Sequence, residues 1–400
     1  MRLRTPRERG AALLTAMVAV AVLTAVASDL AYSSRVSLQL AANARDEVRA
    51  SWRARGGVSL ARMVLTFQQQ LDNAVPSGAV ASAVPRIQLW NLVPVGALAD
   101  VLFAAPEKEG AAAPAALDTK IEDESKKVNV QLDGLAQTSD PKLWQQVQSI
   151  YQLVCDAQWD PLFDREDRWR YRGTRQDLLV RLRDWVSEGD QSSSLVVTGN
   201  SSMPCGMVPG KPPFETSYGD KNGPYDRGDE RYRTKNARMD SLDELYLVAG
   251  VGDVFMAAFR DQLTVYLPRD SKRNVNAADP AALVALARTI ADPPLQPTLA
   301  DPAFSDRLAK AIREKTLGGL FGISPADFGV AVEASGVHVN AALLTSQNSP
   351  FTDRSNTFRI EAKGNAGQVE STVMAIVRLD TSQPLAGTPP LPTIVHWRED

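Results

Sequence analysis

The chain has 400 residues, of which 44% are hydrophobic and 23% are charged, and its formal net charge at pH 7 is −3. This length and apolar content allow one large or two ordinary globular units with cores of their own. A net charge so close to zero excludes the general excess of positive charge with which proteins bind nucleic acid without sequence preference.

The N-terminal segment carries several arginines before a long apolar run. Residues 11–28 contain no charged side chain. As an α-helix they would reach about 27 Å, which is enough to cross the hydrocarbon core of a bilayer. The arginines before the run predict a cytoplasmic N-terminus, with the rest of the chain on the other side of the membrane.

The helical pattern continues beyond the apolar run. Val36, Leu40, Val48 and Trp52 recur at multiples of four among charged residues, which predicts an amphipathic continuation of the same helix over residues 29–75. A secretory signal peptide cut within VASDLAYS is the alternative. The apolar helical pattern would then stop after the cleavage site, whereas here it continues.

These features together resemble the N-terminus of type IV prepilins and type II secretion pseudopilins. The resemblance implies that residues 1–10 are a prepilin leader, which prepilin peptidase cuts between Gly10 and Ala11 before it methylates the new N-terminus. Residues 11–28 would then stay as the transmembrane helix. Most members carry glutamate at the fifth mature position, where this chain has Thr15. Its absence is typical of the large minor pseudopilins of the general secretion pathway protein K family.

Alternating apolar residues predict strands on both sides of a mostly helical middle. Residues 87–103 and 119–130 predict the first strands, within a region that spans 76–133. FRIEAKGNAG and VESTVMAIVRLD predict an antiparallel pair with a turn at GNAG, within residues 346–400. We therefore predict an α+β pseudopilin fold with a long N-terminal helix, an antiparallel sheet, and a large α-helical domain inserted between its strands.

An acidic segment, KIEDESKKVNV, follows the first of these strands. It resembles a strand-turn-strand segment of the protein K family, in which an acidic turn is followed by lysine and an asparagine-bearing strand. A solvated charged hairpin is the alternative, which the spacing alone does not exclude.

The predicted inserted domain spans residues 134–345, in two helical parts that resemble SAM-like or helix-hairpin-helix units. DLLVRLRDWVSEGD predicts an amphipathic helix that ends in an acidic loop, and KNARMDSLDELYLVAGV predicts a helix that ends at Gly250. In NVNAADPAALVAL, Asp279 can cap a helix whose first turn holds Pro280. All three segments resemble parts of the protein K family.

Two cysteines, Cys155 and Cys205, are present in the chain. Outside the cytoplasm, an even pair indicates one disulfide. Closing a loop of this length would stabilise the fold by about 4 kcal/mol in the chain-entropy model. Two unpaired thiols are the alternative, because a cysteine in a predicted helix and one in a predicted loop need not be close.

A glycine-containing turn leaves a DNA-binding function open as an alternative. Gly250, Val251 and Gly252 resemble the turn of helix-hairpin-helix units, which hold DNA phosphates through backbone N–H groups. Asp253 follows at once, and the next basic residue is Arg260, so phosphate binding would be opposed. We expect no nucleic acid partner, with a membrane-anchored DNA receptor as the alternative.

The histidines do not indicate an enzyme. His338 and His396 are the only two in the chain, and neither has the spacing of metal ligands to a second residue. No serine lies in a G-x-S-x-G motif. We therefore predict no catalytic activity.

The segment between Asp190 and Asn236 is acidic, rich in turn residues and poor in apolar ones. Its carboxylates suit Ca²⁺, which takes six to eight oxygen ligands in flexible geometry, although no EF-hand spacing is present. A solvated acidic loop is the alternative. The family resemblance implies a structural calcium ion in this loop, with these predicted ligands: Glu215, Asp220, Asp226 and Asp229.

The resemblance also implies the function. A bulky domain on a single pilin helix would clash with its own copies along a thin filament, so it fits only at an end. We expect a minor pseudopilin at the tip of a type II secretion pseudopilus, anchored in the inner membrane with its domain in the periplasm. Expected partners are other minor pseudopilins and the prepilin peptidase, with the secretin or exported proteins as further candidates. A minor pilin of a type IV pilus is the nearer alternative.

Overall fold

The computed structural model describes residues 6–74, 86–98, 117–133, 141–163, 166, 172–198, 205–226, 231–269, 271–276, 280–293, 296–317, 321–345, 349–379 and 391–400. Its helices are α1 (Pro6–Ala74), α2 (Leu89–Leu92), α3 (Pro141–Val154), α4 (Asp160–Phe163), α5 (Arg175–Val186), α6 (Asp253–Phe259), α7 (Pro280–Ile290), α8 (Phe304–Lys315), α9 (Pro325–Ala334) and α10 (Ala341–Thr345). Its strands are β1 (Arg86–Ile87), β2 (Leu117–Asp123), β3 (Val128–Asn129), β4 (Gln191–Val197), β5 (Pro209–Asp220), β6 (Leu263–Thr264), β7 (Arg273–Asn274), β8 (Phe321–Gly322), β9 (Phe351–Thr352), β10 (Thr357–Ala366), β11 (Val369–Arg378) and β12 (Thr393–Glu399).

Helix α1 runs without a break from the apolar segment into the folded domain, as predicted. The apolar residues that indicated the amphipathic part, Leu40, Val48 and Trp52, are nevertheless exposed. The buried stripe consists mainly of small residues at helical spacing, namely Ala50, Ala54, Val58, Ala61 and Leu65. Small residues form this face because a strand backbone packs directly against it.

The main sheet has four antiparallel strands in the order β12-β11-β10-β2. Because β2 precedes the helical middle of the chain and its neighbour β10 follows it, the predicted insertion between strands of one sheet is confirmed. The pairing of β10 with β11 is also confirmed, with Phe358 opposite Val377. The turn lies later than predicted, at Gly367, whose φ of +60° is a conformation that favours glycine.

The prediction of a strand over residues 87–103 is wrong for most of its described part. After the short β1, α2 and a further helical turn occupy residues 89–98. Trp90 packs edge-on against Phe358 at 4.9 Å between ring centroids, and Val95 is buried in the same core. A side-chain amide of α1, from Gln68, bonds the backbone at the start of α2. These contacts favour a helical turn over a strand here, and residues 99–103 lie outside the described part.

The segment KIEDESKKVNV, residues 120–130, begins within β2 and forms strand, turn and strand, but not a hairpin. The second strand, β3, pairs in parallel with β6 instead of turning back onto β2. Glu124 in the turn is fully buried and accepts hydrogen bonds from Lys127 Nζ at 2.9 Å and Arg359 Nε at 2.7 Å. The alternative of a solvated charged hairpin is therefore wrong, because the turn is buried between the sheet and the insertion.

The insertion contains two apolar cores, in line with the two predicted helical parts. The first is built by α3, α5 and α6, with Leu179, Ile150 and Phe259 at its centre. The second is built by α7, α8 and α9, around Leu286 and Phe328. Helix α7 begins at Pro280 as predicted, while its predicted cap, Asp279, lies outside the described residues.

Candidate functional site

The apolar part of α1 is exposed along its length. Among the described residues, α1 is a helix long and apolar enough to cross a membrane, and its most apolar window has a mean hydropathy of 2.1 with none of it buried. The large apolar side chains exposed here include Leu13, Leu14, Met17, Val18, Leu23 and Leu30. A surface of this kind is suited to lipid or to the apolar helices of other proteins.

Two of the three polar residues in the apolar run, both threonines, are hydrogen-bonded within α1 itself. Thr15 Oγ1 donates a hydrogen bond to the carbonyl oxygen of Ala11 at 3.1 Å, and Thr24 does the same to Val20 at 2.8 Å. Thr15 thus adds no charge to the apolar part of α1, at the position where most members of the family that the sequence resembles carry glutamate. The predicted processing residues, Gly10 and Ala11, lie near the N-terminal end of α1, and their cleavage stays a prediction.

The domain half of α1 docks tightly against the sheet. A Cβ on Gly57 would lie 2.7 Å from Leu117 Cδ1, and one on Gly364 of β10 would overlap the carbonyl oxygen of Ala50. Arg55 of α1 also forms a bidentate ion pair with Glu399 of β12, with both N–O distances at 2.9 Å. The two packed glycines and the ion pair hold the sheet at a set position on the helix, so the helix and the domain act as one body.

Cys155 and Cys205 are joined in a disulfide in the structure, with their Cα atoms 4.9 Å apart. Cys155 is buried just after the end of α3, and Cys205 lies shortly before β5. The two cysteines are 50 residues apart in the sequence. The disulfide therefore links the end of α3 to the acidic segment between Asp190 and Asn236.

The described residues between Asp190 and Asn236 contain a hairpin of β4 and β5, although this segment is poor in apolar residues. Strands β4 and β5 pair antiparallel with two register irregularities. Phe214 and Tyr225 are buried in the first core of the insertion, and the Tyr225 ring lies 5.5 Å from that of Trp185 in α5. A few well-spaced aromatic residues are sufficient to anchor a segment whose remaining residues are polar, because each buries a large apolar area.

A lysine supplies a buried cation at the base of this hairpin. Lys221 is only 2% exposed, and its Nζ donates to the carbonyl oxygen of Ser187 at 2.5 Å. Burial lowers the pKa of Lys221, against the opposite effect of the nearby carboxylates of Asp184 and Asp190. Asp184 is itself buried and accepts a hydrogen bond from the Ser193 backbone at 2.8 Å. The protein thus places its own positive charge among the acidic groups of this region.

Two of the predicted calcium ligands share a cavity. A cavity of about 610 Å³ is lined by Asp220 and Asp226, together with Asp190 and Asn222. Asp220 Oδ1 accepts hydrogen bonds from the Asn222 backbone and side chain, and Asp226 lies 3.5 Å from Arg231 Nε. Both carboxylates therefore also have partners within the protein.

Of the other two predicted ligands, one is described. Glu215 lies opposite Ser194 in the β4–β5 pair and is not among the residues that line this cavity. Asp229 lies outside the described residues. Among the described residues, no group of three or more histidines, cysteines or carboxylates could hold a metal ion. Calcium binding by these four carboxylates stays a prediction, and Asp220 and Asp226 are the two of them that line this cavity.

The glycine turn before α6 packs inside the insertion. Gly250 has a φ of +89°, and Val251 is buried in the first core. Arg181 of α5 donates from Nη1 to the carbonyl oxygen of Ala249 at 3.0 Å, and a Cβ on Gly250 would lie 2.9 Å from the same nitrogen. Asp253 begins α6, and its negative charge would oppose a phosphate at that helix end.

The two histidines lie apart from the cavities and from each other. The backbone N–H and carbonyl of His338 are both bonded by the side chain of Gln296. The His396 ring lies on β12, 5.2 Å from the Tyr266 ring, and burial is the main cause that lowers its pKa. His338 is exposed, and His396 is partly buried.

One charged position was missed at sequence level. Arg273 in β7 is 6% exposed, although it follows Arg269 and Lys272 in a basic stretch that is typical of a solvated surface. The signal available in the sequence is the NVN that follows Arg273, because its alternating polar and apolar residues indicate the start of a short strand. That signal is too short to predict burial, because the burial comes from α3 and the turn after β2, which are distant in sequence.

The comparison with known proteins agrees with this architecture. No family model and no curated protein matches the chain. Among solved structures, it is similar to a chain of the GspK-GspI-GspJ complex from the enterotoxigenic Escherichia coli type 2 secretion system, with a TM-score of 0.51 and 13% identity. The match covers 90% of this chain and 98% of that chain. At this identity the likeness establishes the fold, and the chain therefore has the pseudopilin fold seen in that secretion-system complex.

Proposed function

We propose that this chain is a minor pseudopilin at the tip of a type II secretion pseudopilus, where it initiates or caps assembly. The observation that carries the proposal is the arrangement of α1, which offers an exposed apolar half and uses its other half to hold a sheet with a large helical insertion. Such a subunit joins a helical filament through its apolar half and presents its insertion beyond the filament.

The size of the insertion supports a place at the end of the filament. Helix α1 has 69 residues and so a length of about 100 Å, of which only the first part is apolar. The two cores of the insertion lie between β2 and β10 of the sheet that packs on α1. Copies stacked along a thin filament would bring these insertions into collision, whereas a single copy at the tip would not.

Thr15 supports the same place. A carboxylate inside the membrane is costly unless it is paired, and in the related pilins it is thought to meet the N-terminal amine of a neighbouring subunit. The Thr15 hydroxyl bonds the carbonyl of Ala11 in its own helix, so this subunit carries no such charge. It is therefore suited to a position with no subunit ahead of it.

The proposed partners are other minor pseudopilins. The structural relative was solved as a complex of GspK with GspI and GspJ, and we carry that kind of partner over to this chain. The exposed apolar side chains of α1 provide the contact surface, by helix packing within the membrane and beyond it. The insertion is left to contact the secretin or exported proteins.

Processing of the N-terminus tests the class of protein. The protein extracted from membranes should begin with methylated Ala11, and Gly10→Ala should leave the uncut precursor. Gly56→Ala is the matched control, since that glycine also lies in α1 and a Cβ there meets nothing within 4 Å. An N-terminus near Asp29 or Tyr32 would show a secretory signal peptide and would overturn the proposal.

Loss of the chain tests the function and separates it from a type IV pilus. Deletion should leave folded exoproteins in the periplasm, and complementation with the Gly10→Ala variant should not restore their export. Gold labelling of overproduced pseudopili should mark one end of each filament. Normal export together with lost surface pili would favour the minor pilin of a type IV pilus instead.

A further inference from the structure

Arg273 is a buried cation with no partner among the described residues. It lies on β7 with 6% of its surface exposed. All three guanidinium nitrogens, Nε, Nη1 and Nη2, are buried and have no hydrogen-bond partner in the described part of the chain. Each is a donor, and a guanidinium presents five N–H groups in a planar fork. An unpaired fork inside a protein is rare because burying a charge without compensation carries a large free-energy cost.

The charge is retained at physiological pH. Burial lowers the pKa of Arg273 to about 10, with no carboxylate among the causes. The guanidinium therefore stays protonated at pH 7. Because the group does not lose its proton at pH 7, its charge is not removed by deprotonation. A buried charge with no partner among the described residues therefore requires a bound anion to compensate it.

Arg273 lies between two cavities that differ in charge. One, here called the basic cavity, is lined by Lys127, Lys142, Arg269, Lys272 and Arg273, with amide and hydroxyl side chains between them, and no carboxylate lines its described wall. The other, of about 340 Å³, is lined by Glu122, Asp123 and Asp261 as well as by cations. Carboxylates repel an anion, so the basic cavity is the favourable side.

Some of the basic groups are partly neutralised from outside the cavity. Arg269 Nη2 lies 3.0 Å from Asp133, and Lys127 Nζ lies 2.9 Å from Glu124. Arg273 differs from them because no ion pair or hydrogen bond offsets its charge in the described residues. Arg273 is therefore the group of this cavity that we expect to attract an anion.

We propose that the basic cavity is an oxyanion site, with Arg273 as the residue that binds the anion. The space at its bottom is about 20 Å³, enough for one water-sized group. It admits one oxygen of a sulfate, phosphate or carboxylate, with the rest of the anion at the open side. A planar guanidinium recognises such oxygens better than a spherical ion, because two N–H groups can bond the same anion.

The location gives the site a structural consequence. The wall is built by α3, Lys127 and β3 on one side, and by the residues around β7 on the other. The first of these belongs to the first core of the insertion, and β7 leads directly into α7 of the second core. A bound oxyanion would therefore stabilise the junction between the two parts.

Thermal unfolding of the full-length protein in detergent tests the site without reference to secretion. Wild type, Arg273→Met and the control Arg231→Met, an exposed arginine, are melted in sodium sulfate and in sodium chloride at equal ionic strength. We expect sulfate to raise the melting temperature of wild type and control by several degrees more than that of Arg273→Met. In chloride, Arg273→Met should melt at or above wild type, because the uncompensated charge is gone.

An equal sulfate increment in wild type and Arg273→Met would overturn the proposal, because sulfate also stabilises proteins in general by exclusion from their surface. If Arg273→Met fails to fold, Lys142→Met serves as the second variant, and its sulfate increment should be smaller than that of wild type. Calorimetric titration with sulfate gives a second readout, with heat of binding for wild type and its loss in Arg273→Met.

A second arm identifies the source of the oxyanion and, unlike the first, rests on the proposed function. Minor pseudopilin partners are captured on the immobilised chain with and without sulfate. If a partner carboxylate occupies the site, Arg273→Met and added sulfate both reduce capture. If a free anion occupies it, sulfate leaves capture unchanged. Either result supports the site, provided that sulfate raises the melting temperature of wild type more than that of Arg273→Met. Failure to capture any partner would count against the proposed function alone.

Discussion

Two of the buried cations of the insertion, Lys221 and Arg273, differ in the partners that surround them. In the β4–β5 hairpin, Lys221 bonds the carbonyl oxygen of Ser187 at 2.5 Å and lies near two aspartates. At the junction of the two cores, Arg273 has neither hydrogen bond nor ion pair in the described residues. The comparison teaches that burial alone does not define the role of a charge. A cation with partners from its own chain is part of the fold, whereas one without them indicates a ligand.

The surroundings of the two cations explain the difference. The hairpin region is closed by the Cys155–Cys205 disulfide and by the aromatic contact of Tyr225 with Trp185. Its carboxylates are already arranged around Lys221. The basic cavity instead collects cations from three segments and leaves space for about one oxygen atom. The following experiments test this contrast, and they are ordered from the largest expected effect to the smallest.

Opening the disulfide should have the largest effect on the hairpin region. The double variant Cys155→Ser with Cys205→Ser should lower the free energy of unfolding by about 4 kcal/mol, because the loop closed in the unfolded chain is lost. Urea denaturation of wild type and variant, each with and without reductant, measures this. Identical midpoints for wild type in the two conditions would show that the bond does not form.

Removing each buried cation should change stability in opposite directions. Lys221→Met should lower the free energy of unfolding by about 3 kcal/mol, since the buried carboxylate of Asp184 then loses a nearby positive charge. In the same chloride buffer, Arg273→Met should be neutral or stabilising. Lys310→Met, on the exposed face of α8, is the control and should change stability by less than about 0.5 kcal/mol. Equal losses for Lys221→Met and Arg273→Met would remove the contrast between the two regions.

Calcium should have a smaller effect, and it should depend on the cavity residues alone. If Ca²⁺ binds there, a concentration of ten times its Kd stabilises the protein by about 1.4 kcal/mol. The measurement is the melting temperature in calcium minus that in chelator, for wild type and two variants. Asp226→Asn should abolish this difference, and Glu215→Gln should retain it. Mg²⁺ should be a poor substitute because it dehydrates reluctantly. Equal melting of wild type in calcium and chelator would remove the metal prediction.

The pH dependence of the Lys221 contribution is the smallest effect. Burial lowers the pKa of Lys221 in the folded protein below its ordinary value of 10.5. Between these two values the unfolded chain binds more protons, so the contribution of Lys221 to stability rises with pH there and is constant below. The difference in unfolding free energy between wild type and Lys221→Met should therefore increase as the pH approaches 10.5 from below. A difference that falls over this range would contradict the burial of the ammonium group.

Local patterns predicted the elements that depend on periodicity. The helix α1, the β10–β11 pair and helix α5 follow from apolar spacing, because one buried face imposes a regular repeat. The capping box of α5, in which Thr174 and Asp177 bond each other's backbone N–H groups, is local for the same reason. One sheet interrupted by an insertion was predicted from strands on both sides of the helical middle and from the family resemblance. The pairing of β2 with β10 within that sheet was not predicted, since no local signal joins strands that lie on either side of the insertion.

Sequence alone thus determined the apolar helix, the strand pair at the far end, the two candidate cysteines and the acidic composition of the hairpin. Tertiary structure alone decided which face of α1 is buried, because the backbone of β10 at Gly364 approaches Ala50 too closely for larger side chains. It also decided that residues 89–98 are helical, that Asp220 but not Glu215 lines the cavity of the hairpin, and that Arg273 is buried with no partner among the described residues. These outcomes depend on contacts between segments distant along the chain, and the free energy of such contacts outweighs the weak preferences of a short sequence stretch.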